Sequence, residues 1–351
     1  MKPQVIERSI VASAAVLCLG VALAANVAEA RGKPLPPPPP LSPPARAWHG
    51  FTSNRGIRAE QSRLYLYGGA DSTPKALSDL WYYRVETGSW TSVVPAGNSK
   101  PGPRQHMGWS CGGGGCLLAN GSNGVGPTAE SWYYAEAPTN TWKRVGCRKS
   151  PCPSARQQPT TAYDPAGVHL LFGGRDGSEG FNDTWTFNPD TMTWKLQARQ
   201  ENWPTERNRA GAASVPGVGI VLLGGQDYQG RAVLCDMFTW RNNSWIGMDT
   251  AGAPCLHSHS MAWDDADHRL VVTGGYTDTS DTRSPVTYYL TFKNGVAGKW
   301  ATDPDLPGCF TSLHPGAMMA FDLPTRTKVF FGGEEDIAGS VVRYGDTTTC
   351  N

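Results

Sequence analysis

The sequence predicts an all-β repeat fold of six units, each built from four short antiparallel strands. The first observation is a set of six apolar runs ending in a glycine pair or a near-copy of one: Leu64–Gly69, Leu117–Gly121, Leu170–Gly174, Val221–Gly225, Leu270–Gly275 and Val329–Gly333. Their last glycines are 52, 53, 51, 50 and 58 residues apart, and a fixed period of this length defines a repeat architecture. The second observation is an aromatic segment that follows each pair, with a lone tryptophan behind it. The third is composition: 41 glycines and 13 tryptophans in 351 residues suit sheets that stack closely through large rings.

Within each repeat the strands come in a set order. A small-residue strand ending near an acid comes first, as in Thr160–Asp164 and Met318–Asp322, and the apolar run is the second. The third is aromatic and often opened by an aspartate: Asp79–Tyr83, Ser131–Tyr134, Asp183–Phe187, Asp236–Phe238, then the weaker Tyr288–Tyr289 and Tyr344. After a turn cluster such as Asn188–Thr193, the fourth carries Trp90, Trp142, Trp194, Trp245 or Trp300. This order resembles the kelch repeat, which folds as one blade of a β-propeller. The resemblance covers about residues 46–350 and implies a six-bladed kelch-type β-propeller with four antiparallel strands per blade. It departs from the pattern at Asn120, at Phe238 and in the third strand of the sixth blade.

A blade cannot bury both faces alone and must stack on its neighbours, so closure of the ring matters. The sixth repeat has its glycines at 332–333 and an expected third strand near Ser340–Tyr344, but no tryptophan follows. Trp48, in Ala47–Gly50, precedes the first repeat and has no strands of its own to join. The expectation is an N-terminal strand around Trp48 that forms the outer strand of blade six and protects its edge.

Residues 1–30 read as a secretory signal peptide. Lys2 and Arg8 precede an uncharged stretch from Ile10 to Ala25, and Ala28-Glu29-Ala30 offers small residues at a cleavage site. The other reading is an uncleaved membrane anchor. Residues 31–45 form a proline-rich linker, and 46–351 the propeller. Without Cys18 eight cysteines remain, consistent with an oxidising compartment, so a secreted, periplasmic or cell-envelope location is expected. Spacing pairs Cys111 with Cys116 and Cys147 with Cys152; Cys235 and Cys255 share a rim, which leaves Cys309 and Cys350 by elimination.

A formal net charge of +1 with no basic stripe makes nucleic acid and anionic membrane poor candidate partners, and none is expected. The sequence has no Gly-x-Ser-x-Gly, His-Glu-x-x-His or phosphate-binding glycine loop, and no cofactor is expected. In a propeller the loops entering first strands and those after second strands share one rim, where function concentrates. The first set carries Arg104, His106, Arg156, Gln157, Arg207, Arg209, His257, His259 and His314. The second set carries Asp71, Asp176, Asp227, Asp278, Glu334, Glu335 and Asp336.

Together these form a candidate pocket at the channel mouth, cationic inside and acidic outside, for a carboxylate-bearing peptide, glycan or small molecule. The competing reading has the arginines and histidines hydrogen-bonding loop carbonyls. A metal site from His257, His259 and His314 is a further alternative, since His-x-His on a strand puts both rings on one face. The expectation is a monomeric, non-enzymatic binding module for a protein, peptide or carbohydrate. Its rival is an enzyme acting on a sugar or acidic small molecule at the mouth, in the manner of an epimerase or oxidase.

Overall fold

Each apolar run before a glycine pair is a strand buried along its whole length or nearly so, because it lies between two neighbouring sheets. A computed structural model describes residues 42–350, apart from 57, 74, 137, 149, 303–313, 315, 338 and 339. The expected signal peptide, most of the linker and Cys309 lie outside these residues. No helix among the described residues is long and apolar enough to cross a membrane.

Blade one comprises β1 (Gly50–Ser53), β2 (Leu64–Tyr67), β3 (Leu80–Arg84) and β4 (Ser89–Val93). Blade two is β5 (Gly108–Gly112), β6 (Gly115–Ala119), β7 (Ser131–Ala135) and β8 (Thr141–Arg144). Blade three is β9 (Thr160–Asp164), β10 (Val168–Phe172), β11 (Thr184–Asn188) and β12 (Thr193–Leu196). Blade four is β13 (Gly211–Val215), β14 (Gly219–Leu223), β15 (Met237–Arg241) and β16 (Ser244–Gly247). Blade five is β17 (Ser260–Asp264), β18 (Arg269–Thr273), β19 (Tyr288–Lys293) and β20 (Val296–Thr302). Each is a four-stranded antiparallel sheet in sequence order. Blade six contains β21 (Met318–Asp322) and β22 (Thr327–Phe331), then a separate hairpin of β23 (Glu334–Ile337) and β24 (Ser340–Arg343). Its third strand is β25 (Thr347–Cys350), paired with β22.

First strands neighbour one another from β1 through β5, β9, β13, β17 and β21 and back to β1. They surround a central channel of about 210 Å³. The tryptophan of a fourth strand packs on the preceding blade: Trp142 against Tyr67 (5.4 Å between ring centres), Trp245 against Phe172 (5.3 Å) and Trp90 against Phe331 (4.9 Å).

The glycine pairs are where blades interlock. Gly68 and Gly69 have φ of 62° and 95°, and a Cβ on Gly68 would lie 2.4 Å from the Arg104 carbonyl oxygen. Only glycine fits that turn at that distance. The second glycine donates its N–H to the next blade: Gly69 to Arg104 O, Gly174 to Arg207 O and Gly225 to Leu256 O, each 2.8 Å. Asn120 takes the first-glycine place with φ 56°, and its side-chain amide donates to Thr128 O and Ser154 O. Asparagine tolerates this left-handed conformation better than other side chains.

Closure differs from expectation in two respects. Ser340–Tyr344 is not the third strand of blade six: Ser340–Arg343 is β24 of the hairpin, and the third strand comes later. Nor does Trp48 supply the outer strand. It has a positive φ of 60° and leads directly into β1, the innermost strand of blade one. The N-terminal segment closes the ring through the same glycine latch, with Gly333 N–H donating to Arg46 O (2.9 Å) and Arg46 N–H to Tyr344 O (2.9 Å).

Disulfides join Cys111–Cys116 and Cys147–Cys152, as the spacing predicts, and Cys235–Cys255, as their shared rim predicts. Cys350 is also disulfide-bonded, and the expected partner Cys309 lies outside the described residues. The Cys235–Cys255 loop spans 20 residues, against 5 for the other two. On chain-entropy grounds, replacing that pair by serines lowers stability by about 3 kcal/mol, and either short loop by about 2 kcal/mol. Urea unfolding of the three double variants checks the order.

Candidate functional site

The segment before each first strand has a repeated backbone course. Trp48, His106, Gln158, Arg209 and Ser258 occupy equivalent places, all with positive φ between 54° and 60°. Their backbones form a belt: His106 N–H donates to Trp48 O (3.1 Å), Gln158 to His106 (2.7 Å), Arg209 to Gln158 (3.2 Å) and Ser258 to Arg209 (2.8 Å). Trp48 N–H continues it to Gly316 O of blade six (3.3 Å). The residues that follow (His49, Met107, Pro159, Ala210 and His259) are the first to line the channel, so the belt marks its mouth.

Two of the sequence-predicted residues, His106 and Arg209, lie on this belt. The His106 ring packs on Trp48 at 5.0 Å. Burial, with Arg209, Arg175 and Arg343 nearby, pushes its pKa down to about 3, so the imidazole is neutral. Arg209 donates from Nη1 to Gln226 Oε1 (3.5 Å), while its Nε is buried with no acceptor among the described residues. Burial and neighbouring Arg175 lower its pKa from the usual arginine value. Arg175 donates to Gln158 Oε1 (3.1 Å). No described carboxylate lies within ion-pair distance of Arg175 or Arg209.

Arg104, Arg156 and Arg207 do not reach the mouth. They are buried between blade elements and paired with the acid that opens their own third strand: Glu130 (2.5 Å), Asp183, and Asp236 (2.5 Å). Arg156 and Arg207 also donate to the carbonyl of the first glycine, Gly173 at 3.0 Å and Gly224 at 3.1 Å. Arg46 does the same in blade one, toward Asp79 (2.6 Å) and Gly68 O (2.8 Å). For these arginines the carbonyl-tying reading holds.

The histidines disperse. Ser258 lies between His257 and His259 with φ 56°, so the pair is not on an extended strand and the two rings part. His257 is buried, stacks on Tyr276 (5.2 Å) and sits 3.1 Å from Asp278 O. His259 lies between blades four and five, against Gly211 and Gly224, with both ring nitrogens unpartnered among the described residues. Burial pushes its pKa down to about 3. His314 stacks on Tyr344, with Nδ1 3.7 Å from Glu335. Among the described residues no His, Cys, Asp or Glu group gathers for a metal ion.

The acidic residues divide into two groups. Asp71, Asp176, Asp227 and Asp278 accept from backbone N–H groups of their own turns, which locks the loops beside the glycine pairs. Glu334, at the base of the hairpin, faces the mouth: it accepts from Trp48 Nε1 (2.9 Å) and Arg343 Nε (3.0 Å). Glu335 pairs with Arg283 (2.8 Å) and Tyr344 Oη (2.9 Å), and Asp336 lies further along the hairpin. Sequence reading missed Trp48, Arg175 and Arg343 as mouth residues. The usable signal for Trp48 was its register, two places after Arg46 as His106 is after Arg104 and Arg209 after Arg207; Arg175 and Arg343 have no such signal.

A buried hydroxyl–imidazole pair, Ser110 Oγ and His169 Nδ1 at 2.8 Å, has no carboxylate partner among the described residues. It pairs polar groups between blades two and three, and gives the enzyme reading no support.

Six repeating units, interlocked by glycine pairs around a channel with a polar mouth, define a kelch-type β-propeller. Residues 29–225 match the KLHDC2/KLHL20/DRC7 Kelch-repeats domain, and the chain belongs to that family. It is similar to Kelch domain-containing protein 3 of Rattus norvegicus, 25% identical over 185 residues that cover 50% of this chain and 48% of that protein. The Homo sapiens protein of the same name is 24% identical over the same coverage. The flagellar outer-arm dynein alpha chain of Chlamydomonas reinhardtii is 25% identical over 175 residues, covering 47% of this chain and 4% of that protein. The chain thus spans about half the length of the kelch proteins it matches.

Proposed function

We propose that this propeller is an exported interaction module that captures a carboxylate-bearing segment of a partner protein at the channel mouth. The observation carrying this reading is the pair Arg175 and Arg209, neighbouring guanidinium groups with no described carboxylate in ion-pair range. Two such cations in a partly desolvated site favour an anion from outside, and a guanidinium fork suits a carboxylate. Trp48, His106 and Tyr276 supply ring faces beside them for apolar parts of the same ligand. The kelch propeller, a fold that mediates protein interactions, supports the wider class. Export is supported by the leader-like sequence and by the disulfides.

The test is a peptide library with free carboxylates beside the same library fully amidated. The wild-type protein retains members of the first and not of the second. Arg175→Ala with Arg209→Ala reduces affinity for retained peptides at least tenfold, and the melting temperature changes by no more than about 2 °C, because neither group has an ion pair to lose. Binding weakens as salt rises. Equal retention of the two libraries sinks the proposal.

A further inference from the structure

In five blades the residue after the glycine pair bridges to the residue just ahead of the belt, as Arg175 does with Gln157 and Tyr276 with His257. In blades one and two it is small and buried, Ala70 and Ser122. In blades three to six that residue is Arg175, Gln226, Tyr276 and Glu334, so the charged groups of the mouth gather there, with Arg209, Arg283 and Arg343. Two ion pairs are internal: Arg343 with Glu334 (3.0 Å) and Arg283 with Glu335 (2.8 Å). Arg175 and Arg209 have no described carboxylate in ion-pair range. One carboxylate near them, Asp281, has no described lysine or arginine in range.

Asp281 lies in the loop between β18 and β19, and the fold fixes its place. Thr277 N–H donates to Thr282 O (2.8 Å), and Asp278 accepts from the N–H groups of Ser280 and Thr282 (2.9 Å each). At this turn Asp281 has a φ of 59°, a conformation that aspartate tolerates. Its side chain is 58% exposed, and Oδ1 lies 3.6 Å from His257 Nε2. That imidazole is neutral, because burial lowers its pKa, and its Nε2 sits 3.1 Å from Asp278 O. Asp281 therefore keeps an uncompensated charge. It acts within reach of the arginines: it opposes the lowering of the Arg209 pKa by burial and Arg175, and Tyr276 feels both Asp281 and Arg209.

We propose that the segment captured at the mouth is dipolar: close to its carboxylate it carries an ammonium or guanidinium group, which Asp281 receives while Arg175 and Arg209 hold the carboxylate. This rests on the carboxylate reading above and adds the residue that sets selectivity. A ligand that brings only negative charge gains at the guanidinium pair but is repelled by Asp281. A ligand that brings both charges turns that repulsion into attraction. The Tyr276 ring, stacked on His257 at 5.2 Å, lies within the field of Asp281, and a ring near a carboxylate suits an organic cation. Because Asp281 starts exposed, it acts on selectivity rather than on the bulk of the affinity.

The test uses the intact protein and the peptides it retains from the free-carboxylate library, with all N-termini acetylated. Lysine and arginine are expected to be enriched close to the carboxylate in the retained set. By fluorescence anisotropy each lysine-bearing peptide binds about fivefold more tightly than its acetyl-lysine twin, the upper end for a charge pair that starts exposed. Asp281→Asn brings the twins to equal affinity, and asparagine keeps the left-handed backbone. Its melting temperature matches wild type, since Asp281 has no lysine or arginine partner among the described residues to lose. Equal affinity of the twins in the wild-type protein would overturn the inference and leave carboxylate capture standing. So would an undiminished difference in Asp281→Asn, which would place the cation elsewhere. Failure of the free-carboxylate library to be retained at all would sink both readings.

Discussion

Arg156→Ala lowers the stability of the propeller by about 3 kcal/mol, the lower end of the range for breaking a buried ion pair, because Asp183 keeps some contact with water. The Arg156 side chain is buried, pairs with both oxygens of Asp183, donates to Gly173 O and lies over the Phe181 ring at 4.0 Å. Alanine removes all of these at once and strands the glycine carbonyl at the turn that receives the next blade. Arg207→Ala, in the same setting in blade four, behaves alike. Chemical unfolding with a matched Arg209→Ala control separates scaffold from mouth: the control unfolds like wild type. A loss under 1 kcal/mol for Arg156→Ala, together with impaired ligand binding, would return that residue to the mouth.

Acid unfolding is the second large effect. Burial pushes the pKa of His49, His106, His169 and His259 from 6.5 to about 3. A folded-state pKa below the unfolded one means that the unfolded chain binds more protons. Stability is therefore full above pH 6.5 and is lost as pH falls toward 3. At pH 5 the loss is about 2 kcal/mol per histidine, or about 8 kcal/mol for four, comparable to the whole stability of many domains. Tryptophan fluorescence against pH shows a cooperative transition in that window. His259→Met isolates one contribution, since Met107 already fills the equivalent place over Gly68. The variant matches wild type at pH 7.5 and outlasts it at pH 5. A native spectrum at pH 4, or an unshifted transition for His259→Met, would falsify this account.

The blades were legible because their causes are local and repeated. A glycine pair, an aromatic strand and a tryptophan recur within one period, and five of six sheets followed from them. Blade six was misread because its hairpin inserts strand-like sequence, Ser340–Arg343, before the true third strand. The roles of Arg104, Arg156 and Arg207 were open for a different reason. Each has an acid partner 26 to 29 residues away, visible in the sequence, but which of rim or turn the side chain faces depends on tertiary packing. His257 and His259 show the limit most clearly. Their spacing implies a shared face only if Ser258 is extended, and Ser258 is left-handed.

The belt at the mouth runs entirely through main-chain atoms, from Gly316 by way of Trp48 to Ser258. Ring continuity therefore places no demand on what hangs from those positions, beyond tolerance of a positive φ. Tryptophan, histidine, glutamine, arginine and serine already share one backbone course there. Blades one to five thus each offer one interchangeable key, and the mouth can be retuned a single residue at a time without renegotiating the architecture. A small combinatorial library at these positions, leaving the buried arginines untouched, is a direct route to propellers with new selectivities.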